Sequence, residues 1–472
     1  MIKNRIRKYA WWLVFAFLPA ILMGCTTPSP IESETQTQFG HNGLPLIFLT
    51  EEARDIALLD FDYLTVLLLE NAPSQVVVER RFGISLEWIL EFLRDSIYNM
   101  EPIESLHFLL MGEEEPVEEF STDPVILAGE YLSSLLLWLA FDFESLGHLG
   151  PQSLAGYQEM LEIHLALLHQ MEIVDGRLMI GEEDHGSASS LPWLKRRADV
   201  FSQEAALAFY GLALTDINLY REIDDFGFRE EGNVTTEIIE QGRIAYFRIA
   251  SFMNNRAFDS EILFPFYEEI QDFEHLIIDL RGNGGGTMAY LDYIIPMLID
   301  EPIKASYHEF FMAGELIYRE FDDEDFEDED RAELILAREF LAEQAFSYFN
   351  EDDLKALEYV VTWPLNFEPR DDNIPFSGKI WLLVDEYSAS LSELMAIIAI
   401  DTGFATVVGT PTAGITPAQH VYISLPYTGI VYRIDIGYIV DSKGRSIEEY
   451  GIIPDIIIES ADALETVLKL IN

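Results

Sequence analysis

Serine and glycine residues in two separate stretches of the sequence have the types and spacing for nucleophilic chemistry. The first stretch, residues 385–396, reads DEYSASLSELMA: three serines alternate, and an apolar helical pattern follows. A hydroxyl at Ser390 would lie at the N-terminus of that helix, where the helix dipole favours developing negative charge. Serine is also a preferred N-cap residue. This stretch alone therefore favours a capping role over a catalytic one.

The second stretch, LIIDLRGNGGG at 276–286, predicts a sharp turn after a buried strand. Four glycines within 282–286 would expose backbone N–H groups that can bind a phosphate or an oxyanion. The spacing fits neither the Rossmann glycine pattern nor the P-loop, so nucleotide binding is disfavoured. Together with this turn, a nucleophilic role for Ser390 becomes the favoured interpretation. Asp279 and Arg281 are expected to shape the turn rather than to react.

The elements that must position these residues change in character near residue 242. Apolar residues recur at spacings of three and four from about 51 to 226, which predicts helices. The clearest helical stretches are 85–100, 128–146, 154–173 and 190–214, with loops predicted at 175–176 and 182–190. Strands then alternate with helices, which predicts an α/β domain. The predicted strands are 242–252, 275–280, 379–385, 404–410 and a hairpin of HVYISLP and GIVYRIDIGYIV, before a closing strand and a final helix.

The N-terminus resembles a bacterial lipoprotein signal. A basic segment, IKNRIRK, precedes an apolar stretch too short for a membrane span, which ends in LMGC. Residues 1–24 are then a signal peptide, Cys25 is the lipidation site, and 25–45 form a flexible tether. An uncleaved anchor with an incidental cysteine is the alternative. Because Cys25 is the only cysteine, no disulfide can form within the chain.

The charge balance excludes one class of partner. The chain has 83 acidic and 29 basic residues, with a formal net charge of −54. Such a surface repels phosphates, so we expect no nucleic-acid binding. It suits a salty, alkaline or otherwise harsh exterior. The acidic run at 320–330 lacks the glycine and ligand spacing of an EF-hand and is interpreted as a solvated loop, with calcium binding as the alternative.

Four motifs in order carry a family resemblance. DLRGNGGG, SASLSE, VVGTPTAG and IEEYGIIPDIII resemble the C-terminal processing (tail-specific) serine peptidases, over about 240–460. The resemblance implies a ClpP/crotonase-like α/β core with Ser390 as nucleophile, and with Ser388 and Ser392 as turn and cap residues. It implies an oxyanion hole formed by N–H groups of Gly284, Gly285 and Leu391, and no metal or organic cofactor.

The base that would activate the serine departs from the commonest pattern of this family. Many members carry a lysine in a TxGKG turn, but the aligned residue here is Ile415 in TAGITP, which excludes a Ser–Lys dyad of that layout. A second branch, which includes the tricorn protease core, uses histidine. The resemblance to that branch implies His148 in LGHLG as base and Glu448 in EEYG as its support, although Gly147 replaces a supporting serine.

Other histidines remain alternatives for the base. His420 lies just past the TAG turn, and His185 is a further candidate. A loop histidine such as His148 is more often merely solvated, and Glu448 could equally be a surface carboxylate. A chain without any functional base is the third alternative.

These observations predict a membrane-anchored serine endopeptidase on the extracytoplasmic face of a bacterial cell membrane, which acts on peptide or protein substrates. The domain division is a helical N-terminal region at 46–235 and an α/β peptidase core at 236–472. No PDZ domain is expected, because residues 150–240 show helical periodicity. One alternative is an inactive relative that binds a peptide or apolar ligand in the same cleft. Another is a solute-binding lipoprotein, which would leave the four ordered motifs unexplained.

Overall fold

A computed structural model describes most of the chain beyond its N-terminal segment. The described residues are 38–40, 43–106, 120–142, 150–151, 171–174, 177–180, 183–187, 232–253, 256–321, 334–344, 346–459 and 462–472. Cys25, His148 and most of the acidic run at 320–330 therefore lie outside the described residues, as does the predicted helix at 190–214.

The helix predicted at 85–100 is confirmed closely, and the helix predicted at 128–146 begins four residues earlier, at Pro124. Within the described residues the helices are α1 (Glu51–Asn71), α2 (Gln75–Phe82), α3 (Leu86–Tyr98), α4 (Pro124–Asp142), α5 (Arg256–Ile270), α6 (Met288–Leu298), α7 (Glu315–Phe321), α8 (Ala337–Glu343), α9 (Leu391–Thr402), α10 (Ile447–Tyr450) and α11 (Ala463–Ile471), with a 3₁₀ helix at Glu351–Lys355. Side-chain caps fix two of the starts. Thr50 Oγ1 accepts the Ala53 N–H before α1, and Ser85 Oγ accepts the Trp88 N–H before α3.

The strands form five sheets in the described part of the chain. They are β1 (Leu46–Ile47), β2 (Ile103–Glu104), β3 (Gly150–Pro151), β4 (Met171–Val174), β5 (Arg177–Ile180), β6 (Glu183–Ser187), β7 (Val234–Glu240), β8 (Ile244–Ile249), β9 (His275–Asp279), β10 (Ile303–Met312), β11 (Ile335–Leu336), β12 (Leu357–Phe367), β13 (Lys379–Val384), β14 (Thr406–Gly409), β15 (His420–Ser424), β16 (Val431–Asp435), β17 (Gly437–Val440) and β18 (Ile456–Ile457). The sheet orders are β1-β2, β11-β12-β10-β17, β18-β14-β13-β9-β8-β7, β15-β16-β3 and β4-β5-β6.

The six-stranded sheet brings the two candidate stretches together. Its strands are parallel except for β7, which pairs antiparallel with β8 at one edge. β9 and β13 are neighbours, with Asp279 opposite Leu383. The glycine turn follows β9 and the serine turn follows β13, so both leave the sheet at the carboxyl ends of adjacent parallel strands. Open α/β sheets place their binding sites at this edge.

A four-stranded antiparallel sheet and a hairpin extend the core. The long strands β10 and β12 pair over almost their whole length and were not predicted from the sequence. The predicted hairpin is confirmed as β15 and β16, but its second half breaks at Ile436, so that β17 joins β10 in the other sheet. The mixed α/β fold class is therefore confirmed.

The N-terminal helices pack against the hairpin and share a core with it. One apolar cluster joins α1, α3 and α4 to β15 and β16. The buried Asp60 of α1 reinforces this packing, since it accepts the backbone N–H groups of Tyr427 and Thr428 in the turn of the hairpin. Arg80 of α2 also binds Glu449 in α10. The helical region and the α/β core are thus continuous in structure.

Two local predictions in the middle of the chain are wrong. Residues 171–173, predicted as the end of a helix, lie in β4, and part of the predicted loop at 182–190 is β6. Strands β4, β5 and β6 form an antiparallel sheet, with the DG of 175–176 between β4 and β5. A short apolar run does not distinguish a helix from a strand by spacing alone, which explains the error. The described residues contain no PDZ module. Strand β7 begins at Val234, two residues before the predicted start of the core.

Among the described helices, none is long and apolar enough to cross a membrane.

Candidate active site

The glycine turn and the serine turn are in direct contact at the edge of the six-stranded sheet. The Asn283 carbonyl accepts the Ala389 N–H at 3.0 Å and the Ser392 hydroxyl at 3.0 Å. A Cβ added to Gly285 would lie 2.6 Å from the Ser390 Cβ, so only glycine allows this approach. The resemblance had implied that Ser392 caps the helix. Its hydroxyl instead links the two turns.

Ser390 has a strained backbone and an uncommitted hydroxyl. Its φ of 54° and ψ of −118° are rarely adopted by residues with a side chain, which costs on the order of 1–3 kcal/mol. It occupies the N-cap position of α9, yet its side chain makes no capping hydrogen bond. Within the described residues its hydroxyl has no partner. Backbone strain that is not offset by a capping hydrogen bond is typical of functional sites. It opposes the interpretation of Ser390 as a capping residue.

Ser388 and Asp385 hold the serine turn in place. The fully buried Ser388 hydroxyl donates to the Leu280 carbonyl at 2.8 Å and accepts the Asp385 N–H at 3.0 Å. Asp385 Oδ1 in turn accepts the Gly282 N–H at 2.9 Å. These bonds connect the ends of β9 and β13, so Ser388 is a turn residue, as predicted.

The predicted oxyanion donors differ in what their N–H groups contact. The Gly285 N–H donates to Asn283 Oδ1 at 2.8 Å, so it would have to share or give up this bond to bind an oxyanion. The Gly284 and Leu391 N–H groups have no hydrogen-bond partner among the described residues. Leu391 is the first residue of α9, where the helix dipole favours a negative ligand.

Asp279 and Arg281 shape the turn. The Asp279 carboxylate, buried at the end of β9, accepts the Arg281 N–H at 3.0 Å and forms an ion pair with its guanidinium at 2.6 Å. The Tyr246 hydroxyl donates to the same carboxylate, and burial raises the pKa of Tyr246 to about 12.

Residues 412–419, which we name the acid-held segment, form the other side of the site. The Ile415 carbonyl accepts the Ser390 N–H at 2.6 Å. The position that carries lysine in many relatives therefore lies against the candidate nucleophile, and it is isoleucine in this chain.

Glu393, at the end of the SASLSE motif, holds the start of the acid-held segment. Its Oε1 accepts the Thr412 hydroxyl at 2.6 Å and the Gly414 N–H at 2.8 Å. The side chain is fully buried, and its Oε2 has no partner within the described residues. Burial raises the pKa of Glu393 to about 8, and the carboxylate of Glu448 adds to the rise. The protonated form of Glu393 is therefore retained to higher pH than that of an ordinary carboxyl.

Glu448 is buried, so its interpretation as a surface carboxylate is wrong. Its Oε1 accepts the Thr416 hydroxyl at 3.0 Å and the Ile439 N–H at 3.0 Å, and its Oε2 accepts the Ser446 hydroxyl at 3.2 Å. The side chain is 4% exposed, and burial raises its pKa to about 7. Glu448 therefore holds the middle of the acid-held segment, one residue from Ile415.

The candidate bases are placed unequally. His148 lies outside the described residues; the chain is described again at Gly150, which pairs with Arg433 in β16. His420 begins β15 directly after the acid-held segment, opposite Asp435, and its Nδ1 lies 3.1 Å from the Ala418 carbonyl oxygen. His185 lies in β6. The choice of base stays a prediction.

No group of three or more metal-ligating side chains occurs among the residues that the structure describes.

Residues 243–458 match the sequence model of Peptidase family S41. The match covers less than half of the chain and includes all four motifs of the sequence analysis. The predicted resemblance to C-terminal processing peptidases is thus confirmed for this region, while the histidine-using branch and the lipoprotein signal stay predictions.

Solved structures with a similar fold include several peptidases. A putative peptidase from Parabacteroides merdae is 16% identical, with 88% of this chain and 96% of that one covered and a TM-score of 0.43. Mature CPAF complexed with lactacystin is 14% identical, with 89% and 98% covered and a TM-score of 0.46. The photosystem II D1 C-terminal processing protease is 16% identical, with 51% of this chain and 52% of that one covered and a TM-score of 0.32. The chain thus spans about half of that protein. These likenesses are too distant to bear on activity.

Sequence reasoning missed two kinds of residue at this site. Asn283 and Glu393 were noted only as parts of motifs, although the buried Asn283 side chain holds the glycine turn through Ile249 and Gly285, and Glu393 holds the acid-held segment. Polar side chains embedded in apolar or glycine-rich surroundings were the available signal, since such groups must find partners when buried.

Proposed function

We propose that this chain is a serine peptidase that hydrolyses peptide bonds through an acyl-enzyme on Ser390. The observation that carries the proposal is the strained, uncapped Ser390, held between the glycine turn and the acid-held segment. The S41 family match over 243–458 supports the same reaction class. The argument against this proposal is that isoleucine occupies position 415 in place of a lysine. This substitution excludes one kind of base but leaves the nucleophile and the N–H donors in place.

In the proposed reaction Ser390 Oγ attacks the carbonyl carbon of the scissile peptide while a base takes its proton. The N–H groups of Gly284 and Leu391 stabilise the oxyanion that forms. The base then returns the proton to the leaving nitrogen, the C–N bond breaks, and an ester to Ser390 remains. Water hydrolyses the ester in the second half of the reaction. No metal or organic cofactor takes part in this scheme.

We assign the base to His148, supported by Glu448. The sequence resemblance to the histidine-using branch motivates this assignment, and the burial of Glu448 beside the acid-held segment is compatible with a supporting carboxyl. His420 is the alternative base, because it directly follows the same segment.

The proposed setting is the extracytoplasmic face of a bacterial cell membrane. Lipidation of Cys25 after removal of residues 1–24 would tether the enzyme, and the strongly acidic surface suits that exterior. Peptide or protein chains are the proposed substrates, cleaved as by an endopeptidase.

Labelling by a fluorophosphonate probe tests the proposed activity. The full chain in detergent should form a covalent adduct, and Ser390→Ala should form none. A second comparison of His148→Ala with His420→Ala identifies the base, since only the variant without the base should lose most of the labelling. If folded wild type does not react, the chain is instead the inactive binding relative.

Incorporation of an alkyne-tagged fatty acid tests the tether. We expect labelled protein in the membrane fraction of a bacterial host, and none for Cys25→Ser. Membrane-bound protein without incorporation in either form would leave the uncleaved anchor as the better explanation.

A further inference from the structure

A buried glutamate outside the four motifs also reaches the acid-held segment. Glu309 lies in the middle of β10, opposite Val361 of β12 and Ile439 of β17. Its side chain is fully buried, and the next two residues, Phe310 and Phe311, are also buried. Burial of a carboxyl group among apolar side chains costs free energy unless specific partners compensate for it.

Two N–H donors provide that compensation, one from each side. Trp363, on the neighbouring strand β12, donates from Nε1 to Glu309 Oε2 at 2.6 Å. The Gln419 backbone N–H donates to Glu309 Oε1 at 2.6 Å. One oxygen is thus held within the sheet, while the other reaches across to the last residue of the acid-held segment. Each bond requires its own acceptor oxygen, and among side chains only a carboxylate offers two such oxygens.

The chain leaves space for this carboxylate at Gly437. A Cβ on Gly437 would overlap Glu309 Oε1, whereas its backbone does not need the left-handed conformation that favours glycine. The space beside Glu309 is therefore the physical reason for a glycine at this point of β17. This second observation is independent of the hydrogen bonds and points to the same oxygen.

Like charges lie near Glu309, and one of them, Asp435, is paired with Arg433 at 2.8 Å. Glu448 and Asp435 are the nearby carboxyls, and no salt bridge to Glu309 exists within the described residues. Glu448 is close because its Oε1 accepts the N–H of Ile439, the residue opposite Glu309. Tyr307 is the other titratable neighbour. An ion pair, the usual structural reason for a buried carboxyl, does not apply here.

We propose that Glu309 is a positioning residue of the active site: its bond to the Gln419 N–H fixes the end of the segment whose Ile415 carbonyl holds Ser390. Three carboxyls then bind the segment, Glu393 at its start, Glu448 in its middle and Glu309 at its end, in addition to its backbone bonds with Ser388, Ile452 and Ile436. This inference rests on the proposed peptidase function.

The protonation state of Glu309 should therefore affect the reactivity of Ser390. Burial raises the pKa of Glu309 to about 8, while its bonds to Gln419 and Trp363 oppose the rise. The ionised form accepts both N–H groups, whereas protonation removes part of that capacity. Labelling of Ser390 should increase as pH rises through this range.

Rates of fluorophosphonate labelling, measured on the full chain in detergent from pH 6 to 10, test the proposal. Glu309→Gln keeps the shape of the side chain but leaves one of the two N–H groups without an acceptor. The labelling rate per folded molecule should therefore fall by about tenfold or more. The variant should also lose the rate increase near pH 8. Trp363→Phe keeps the Gln419 bond, so its rate increase should move to higher pH.

Asp60→Asn is the matched control, because Asp60 is equally buried and accepts backbone N–H groups of a turn that lies outside the acid-held segment. It should lower the melting temperature and leave the labelling rate of folded molecules unchanged. If Glu309→Gln fails to fold, Gly437→Ala, which displaces the same oxygen, replaces it.

Three outcomes are distinguishable. Slow labelling of the Glu309 or Gly437 variant together with the shifted pH profile of Trp363→Phe supports the proposal. Wild-type rates and profiles in folded variants overturn it and leave the peptidase function intact. Absence of labelling in folded wild type overturns the peptidase function and this inference with it.

Discussion

The two sides of Ser390 are held by different kinds of interaction. On one side the part of the glycine turn that meets the serine turn is held by the Asn283 amide, the Ser388 and Ser392 hydroxyls and backbone atoms, while the carboxylates of Asp279 and Asp385 hold its start. On the other side buried carboxyls bind the acid-held segment. Close steric fit dominates the first side and protonation the second. The glycine side should therefore respond to added volume, and the acid-held side to pH.

Gly285→Ala should have the largest effect and would show how strictly the glycine side depends on fit. The new Cβ would lie 2.6 Å from the Ser390 Cβ and 2.9 Å from the Leu391 N, at a φ of +99°. We expect labelling of Ser390 to fall by about 100-fold or more, because displacement of the nucleophile by even ~1 Å is costly. Labelling rates per folded molecule provide the measurement.

Gly242→Ala is the control for backbone strain alone. Gly242 has a φ of +73° in the turn between β7 and β8, and a Cβ there meets no atom within 4 Å. It should cost about 1–2 kcal/mol of stability and leave labelling unchanged. Equal loss of labelling in both variants would contradict the argument from close fit.

Ser388→Ala should have an intermediate effect and sharpens the comparison on the same side. Removal of this buried hydroxyl leaves the Asp385 N–H without its acceptor, which should cost about 1–3 kcal/mol. Chemical denaturation measures this cost. Ser96→Ala, at a buried serine of α3 whose hydroxyl donates only to the Phe92 carbonyl one turn earlier, should cost less than about 1 kcal/mol. Similar losses in the two variants would show that the contact between the turns is energetically unimportant.

The sequence predicted the glycine side better than the acid-held side, for a physical reason. A run of glycines and a serine at a helix start have local consequences for the backbone, so LIIDLRGNGGG and SASLSE could be interpreted without tertiary structure. The roles of Glu309, Glu393 and Glu448 depend on burial and on partners that are distant in the sequence. Apolar surroundings in the sequence mark Glu393, whereas no local pattern distinguishes Glu309 from the many other acidic residues of the chain.

The missed strands follow the same logic. β10 reads IKASYHEFFM and β12 reads LEYVVTWPLNF, in which charged residues and Pro364 interrupt the alternation typical of strands. Glu309 itself weakened the strand signal that would have located it. The break at Ile436 likewise could not be predicted from the local sequence. It arises because β17 pairs with β10 in the neighbouring sheet, which separates β17 from β16.

Glu393→Gln should have the smallest effect on stability and tests whether the acid-held side depends on protonation. The folded-state pKa of Glu393, about 8, lies above the ordinary value near 4.5 because of burial. The folded chain therefore binds more protons than the unfolded chain between these values, so stability is greatest below about pH 4.5 and decreases as pH rises towards 8. A glutamine keeps an acceptor for Thr412 and Gly414 and cannot ionise.

The variant should consequently be no more stable than wild type at pH 5 and more stable at pH 9, by on the order of 1 kcal/mol. Denaturation midpoints across this pH range measure the crossover. Glu465→Gln, at an exposed residue paired with Lys469, should give no such crossover, because its pKa is lowered by that lysine. A pH dependence of Glu393→Gln parallel to wild type would mean that Glu393 stays in one protonation state throughout, and the acid-held side would then resemble the glycine side after all.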